Sequence, residues 1–272
     1  MTTLHASAAL LPTGWASDVT IVLEGDSIVS VTADTQPDGV AERHRMIVPA
    51  IGNLHSHAFQ RAMAGLAERR GPGEDSFWSW RSVMYKFALS MTPDQVAAVA
   101  AQLYVEMLEA GFGRVGEFHY LHHSQSGARY ANIAEMAERI AQASVEAGIG
   151  LTLLPVFYAH GGFGPLAATE GQRRFTNTLD QYADLMQASR VVLAGVPGGR
   201  LGIAPHSLRA ATLPEINAIL PLAAAGPVHI HVAEQTLEVD DCLAAHGVRP
   251  VQLLLDNLPV DERWCLLHAT HL

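Results

Sequence analysis

The chain has 272 residues, 49% hydrophobic and 16% charged, with a formal net charge of −10. That balance fits a globular protein with a sizeable core and argues against nucleic acid or an anionic membrane surface as a main partner, since both need a basic footprint. Two cysteines, Cys242 and Cys265, make no disulfide framework and fit a reduced, cytoplasmic compartment; no signal peptide opens the chain and no apolar run reaches the length of a membrane span.

Residues 1–46 read as part of a small β domain. Val19–Leu23 and Ser27–Val31 are short β-branched runs separated by Glu24-Gly25-Asp26, a turn signal. From residue 47 onward a strand-then-helix rhythm begins. The first strand is Val48–Leu54, running into His55-Ser56-His57. A long connection follows over residues 58–91, carrying Gly71-Pro72-Gly73 and an aromatic run from Phe77 to Phe87. Connections of that length are functional or hold helices of their own. Thr92-Pro93-Asp94 starts a helix with threonine as the cap and proline in the first turn, and Gly111 stops it.

Arg114–His119 is the second strand, and a helix is expected over 129–147 with Gly148 as the stop. Gly150–Tyr158 is a third, nearly all-apolar strand, as in a parallel sheet covered on both faces. A helix is expected over 172–188, a short strand over Leu201–Ala204, and a helix from Thr212-Leu213-Pro214-Glu215, which has capping-box spacing. Val228–Val232 is the fifth strand, residues 236–245 and 249–256 are helical, and Trp264–His268 is the sixth strand.

Alternating strands and helices imply βαβ units and a parallel sheet. Polar residues collect at the strand ends: His55 and His57, His119, Tyr158, His206, His231 and His268. A (β/α)8 barrel places its active site there. The expected fold is therefore an α/β, TIM-like barrel over residues 47–272, with about six strands visible, preceded by the small β element. A doubly wound sheet is the rival layout, but no Gly-x-Gly-x-x-Gly follows a strand.

Histidines ending most of six successive strands are hard to explain by packing, because a buried imidazole needs hydrogen-bond partners. In His55-Ser56-His57, alternate side chains of a strand face one way, so the two imidazoles can hold one face of a metal ion. His231 can be a third ligand. Glu234, three residues on, is placed to move protons beside metal-activated water, and His268 can be a base or hydrogen-bond donor at the same centre. His229 lies one layer deeper on the same strand side and reads as a core residue.

Leu54-His55-Ser56-His57, His231-x-x-Glu234 and His268 resemble the amidohydrolase superfamily in its single-metal deaminase branch. The wider context, Gly52 to Gly65 with Phe59-Gln60-Arg61, and Phe77-Trp78-Ser79-Trp80-Arg81, is similar to the formimidoylglutamate deiminase family of histidine degradation. That resemblance implies one zinc ion (Fe2+ being the alternative) on His55, His57 and His231, with a further aspartate ligand ending an eighth strand, beyond the six seen here. It implies Glu234 and His268 as catalytic groups, and Gln60, Arg81, Tyr120, His206 and Arg209 as contacts to a small substrate, formiminoglutamate. The implied reaction is hydrolytic deimination to N-formyl-L-glutamate and ammonia, in a cytoplasmic homodimer. Arginine forks suit a substrate with two carboxylates. Lys86, the single lysine, is not at a strand end, which disfavours relatives that bridge two metals with a modified lysine. Two other readings remain at this point: a deaminase of a nucleobase-like ring, and an inactive metal-binding fragment.

Overall fold

A computed structural model describes residues 1–39, 41–66 and 77–272, and of residues 77–79 the backbone. Gly71-Pro72-Gly73 lies outside the described residues. The chain divides into two compact units, Met1–Ile51 and Gly52–Leu272.

The first unit is a four-stranded sheet of β1 (Thr2–Leu11), β2 (Gly14–Glu24), β3 (Ser27–Thr32) and β4 (Glu42–Ile47), in the order β3-β2-β1-β4. The expected hairpin is β2–β3, antiparallel, closing at Glu24↔Ser27. β1 went unread in the sequence; it pairs antiparallel with β2 and parallel with β4. Ala6, Ala9, Val19 and Ile21 form a small core of their own.

The second unit carries β5 (Ile51–Ser56), β6 (Phe112–His119), β7 (Gly150–Phe157), β8 (Arg200–Leu201), β9 (Ala204–Pro205), β10 (Val228–Val232) and β11 (Trp264–His268). β5 neighbours β6, β6 pairs parallel with β7, and both β8 and β9 pair parallel with β7. Parallel bridges Ile203↔Val228 and Ser207↔His231 carry the sheet on to β10, which pairs parallel with β11. Strand neighbours therefore follow chain order, the layout of a (β/α) barrel, with β8 and β9 together filling its fourth position.

Helices α1 (Phe77–Ser90), α2 (Pro93–Glu109), α3 (Glu135–Ala147), α4 (Leu179–Leu193), α5 (Leu213–Ile219), α6 (Thr236–His246) and α7 (Pro250–Asn257) separate the strands. Three start at complete capping boxes: Thr92 with Gln95, Thr178 with Gln181, Thr212 with Glu215. Each box satisfies two otherwise orphaned backbone groups. Two expected helices begin later than anticipated. α3 starts at Glu135 because the Asn132 side chain accepts the Ala134 amide and bonds Glu138, turning the chain before the helix. α4 starts after Thr178 rather than at 172, because Gln172 is held by Thr169 and Tyr158 instead. Among the described residues no helix is long and apolar enough to cross a membrane.

The core holds unusual polar cargo. His119 and His122 are buried with their rings 5.4 Å apart. Arg174 is fully buried; its guanidinium donates to the carbonyls of His123, Ala88 and Met91. Burial, aided by the Arg174 charge, pushes His119 down to about 3; burial likewise holds His122 well below the usual imidazole value. Both imidazoles stay neutral in the folded chain while the unfolded chain protonates them near pH 6.5. Stability should therefore be intact above pH 6.5 and fall on acidification toward pH 3, by about 1.4 kcal/mol per pH unit for each such histidine. Urea unfolding at pH 7 and pH 5 measures this; equal midpoints would contradict it.

Candidate active site

Fifteen side chains line a cavity of about 310 Å³ at the C-terminal ends of the strands. β5 delivers His55, and His57 follows just past its end. Gln60 comes from a 3-10 turn over Ala58–Met63. α1 lends Trp80, Arg81, Met84 and Tyr85. Tyr120 and Tyr158 follow β6 and β7, His206 and Arg209 follow β9, and Phe175 precedes α4. His231 ends β10, Glu234 lies in the next turn, and His268 ends β11. All ten residues singled out from the sequence are among these fifteen. Open grooves of larger volume lie elsewhere, beside Glu215 and beside Gln142, but neither gathers converging imidazoles.

The imidazoles meet closely. Ring centroids of His55 are 4.4 Å from His57 and 4.9 Å from His231; those of His231 and His268 are 5.3 Å apart and stacked. Nδ1 of His231 lies 3.1 Å from the His206 carbonyl oxygen, and Nδ1 of His57 lies 2.9 Å from that of Phe118. Each must carry its proton on Nδ1 to donate there, which leaves the lone pair on Nε2. The Nε2 atoms of His231 and His55 then face each other at 3.2 Å. Two nitrogens each about 2.05 Å from one tetrahedral zinc would stand roughly 3.3 Å apart, so this pair has the spacing of two ligands on one ion. Ligand atoms of His55, His231 and His268 all lie within 4.8 Å of one another. That trio contains His268, while the His57 ring lies as near His231 as the His268 ring does, 5.3 Å, and nearer His55, at 4.4 against 5.9 Å.

Electrostatics suit a cation. Burial, then the neighbouring His57, His268 and His229, pushes His55 down to about 3. Burial pushes His57 to about 4 against the opposing Phe118 carbonyl, and burial with four imidazole neighbours holds His231 well below its ordinary value. Neutral imidazole is the form that ligates a metal. Behind His57, the buried Glu117 accepts the Ala58 amide at 2.6 Å and the Tyr104 hydroxyl at 3.2 Å, fixing the end of β5. Gly116 permits the approach of β6: a Cβ there would meet the Leu54 carbonyl oxygen at 2.9 Å.

The opposite wall is phenolic and cationic. Gln60 donates to the Tyr120 hydroxyl at 2.7 Å, and Gln172 to that of Tyr158 at 2.6 Å. Arg81 donates from Nε and Nη2 to the Tyr85 hydroxyl, at 2.9 and 2.6 Å. Glu234 reaches His268 at 3.7 Å. Sequence reasoning did not select Trp80, Met84, Tyr85 and Phe175, which carry the signature of ordinary core positions. Tyr158 was visible as a polar strand end but was not chosen.

Residues 46–272 match the amidohydrolase family. The chain belongs to that family. Residues 1–45 match the N-terminal domain of formimidoylglutamate deiminase HutF. The formimidoylglutamate deiminase of Pseudomonas aeruginosa is 50% identical over 276 residues, covering 100% of this chain and 60% of that protein. A 5-methylthioadenosine/S-adenosylhomocysteine deaminase of Natronomonas pharaonis is 27% identical over 83% of this chain and 46% of its own length. Among solved structures, an amidohydrolase from Brucella melitensis superposes with a TM-score of 0.98 at 58% identity, over 100% of this chain and 61% of that one. The atrazine chlorohydrolase TrzN from Arthrobacter aurescens TC1, solved with zinc, gives 0.75 at 18% identity, over 98% of this chain and 60% of that one, a likeness of fold. The chain spans about 60% of the length of its full-coverage relatives. The fold is thus that of an amidohydrolase barrel.

Proposed function

We propose that this amidohydrolase takes part in the zinc-dependent hydrolysis of N-formimino-L-glutamate to N-formyl-L-glutamate and ammonia. The observation that carries the reading is the pairing, in one cavity, of converging imidazoles with two arginines, Arg81 and Arg209; the half-identical P. aeruginosa relative carries the matching name. His55, His57 and His231 would hold the ion, with His268 at its edge. A bound zinc ion would polarise the formimino group and make water acidic enough to act near neutral pH.

The protein's own groups supply the rest. His268 and Glu234 accept and pass protons. Glu234 protonates the formimino nitrogen so that it leaves as ammonia, while the water oxygen stays on the carbon as the formyl group. Arg81 and Arg209 grip the two substrate carboxylates, and Gln60, Tyr120 and His206 line the space between. The reading extends to a homodimer and to the cytoplasm, the latter in keeping with the two free cysteines.

The test is ammonia release by the zinc-loaded protein from N-formimino-L-glutamate, set beside adenosine and guanine. Preference for either ring, or no turnover of any of them, would overturn it. Arg209→Met should raise KM about tenfold or more with little change in kcat, the loss of a charge-assisted hydrogen bond of about 1.5–3 kcal/mol. Steady-state kinetics on that variant separates a carboxylate grip from a distant surface charge.

A further inference from the structure

Glu238 is a buried carboxylate in the first turn of α6, 5% exposed. Its Oε1 accepts the Ala233 amide at 3.2 Å and its Oε2 accepts the Glu234 amide at 3.1 Å. These residues lie two and three positions after His231. Ala233 sits in the left-handed region at φ 53°, a conformation that costs a residue with a Cβ about 1 kcal/mol or more. The chain must leave β10, take that turn and aim Glu234 back over the cavity, where its carboxylate comes to 3.7 Å from His268. Gln235, at the helix N-cap, supplies no side-chain bond to the first turn. Glu238 holds the two amides of this turn, while the turn's carbonyls at Val232 and Ala233 accept from the Ala269 and His271 amides. Burial pushes its carboxyl above the usual range, opposed by the Arg209 charge and the two amides.

We propose that Glu238 is a positioning residue, whose carboxylate clamps the Ala233 and Glu234 amides and so fixes Glu234 for proton transfer. The inference rests on the function proposed above. It adds to that function a residue outside the cavity lining that acts through Glu234.

Three measurements on the full chain loaded with zinc test it. Glu238→Gln removes one acceptor and places an amide NH2 against a backbone N–H, so kcat on N-formimino-L-glutamate should fall about tenfold or more with KM and zinc content unchanged. Placed in a Glu234→Gln background, Glu238→Gln should cost nothing further, since the group it positions is gone. Turnover equal to the parent, or losses that multiply in full, would overturn the proposal. Amide hydrogen exchange gives a readout independent of turnover: in Glu238→Ala the Ala233 and Glu234 amides should lose protection while β10 keeps its own. Unchanged protection refutes the clamp. Lost protection in a protein whose parent releases no ammonia upholds the clamp and refutes the substrate instead.

Discussion

Glu234→Gln should lower kcat on N-formimino-L-glutamate on the order of 10²-fold or more, with zinc content unchanged. The glutamine keeps the size and one acceptor of the glutamate but cannot carry a proton between water and the leaving nitrogen. Its backbone stays clamped by Glu238, so the loss reads proton transfer rather than a shifted turn. Glu234 lines the cavity and stands 3.7 Å from His268, within ion-pair range, so that a small side-chain approach brings the two into proton-transfer reach. Near-parental kcat in this variant would remove Glu234 from the chemistry and leave His268 as the remaining proton carrier on that side.

Removing the metal should have an effect at least as large. Dialysis against a chelator is expected to abolish ammonia release and to lower thermal stability; at free zinc 1,000-fold above Kd, the bound ion contributes about 4 kcal/mol. Added zinc should restore both. His231→Ala should reproduce the loss irreversibly, because His231 is the buried member of the trio, its ring is fixed by the His206 carbonyl and its Nε2 faces that of His55. Elemental analysis and a melting scan measure the outcome. Full zinc content in His231→Ala, or a melting point indifferent to chelation, would sink the assignment of the imidazoles to an ion.

Much of this was legible before the fold was seen, and for a physical reason. Histidine at the end of a strand is costly unless something holds it, so repeated strand-end histidines mark a shared purpose that alternation and apolar runs then place in space. β7 was readable because nearly every residue in it is apolar or β-branched, and β10 because β-branched residues alternate with its two histidines. β1 was not, since its alanines and irregular burial give a weak strand pattern, and only pairing with β2 and β4 makes it one. The start of α4 was misplaced although Thr178 and Gln181 spell a capping box; the polar run before it looked equally helical. Tyr85 and Phe175 escaped because an aromatic facing a cavity and one facing the core share one local pattern. Which ring atoms converge was beyond reach too, because it depends on carbonyls distant in sequence, that of Phe118 on His57 and that of His206 on His231.

Arg174 rivets the carbonyls of Ala88 and Met91, at the C-terminal end of α1 and just past it, to that of His123 behind β6. The helix bearing Arg81 and Tyr85 is thereby pinned at one end to the scaffold, while the imidazoles are rooted separately in the strands. Under the proposed function, one of the two carboxylate grips, Arg81, thus rides on this helix, while Arg209 follows a strand as the imidazoles do. New guests could be tried by redrawing residues 80–85 alone, leaving the reactive centre undisturbed.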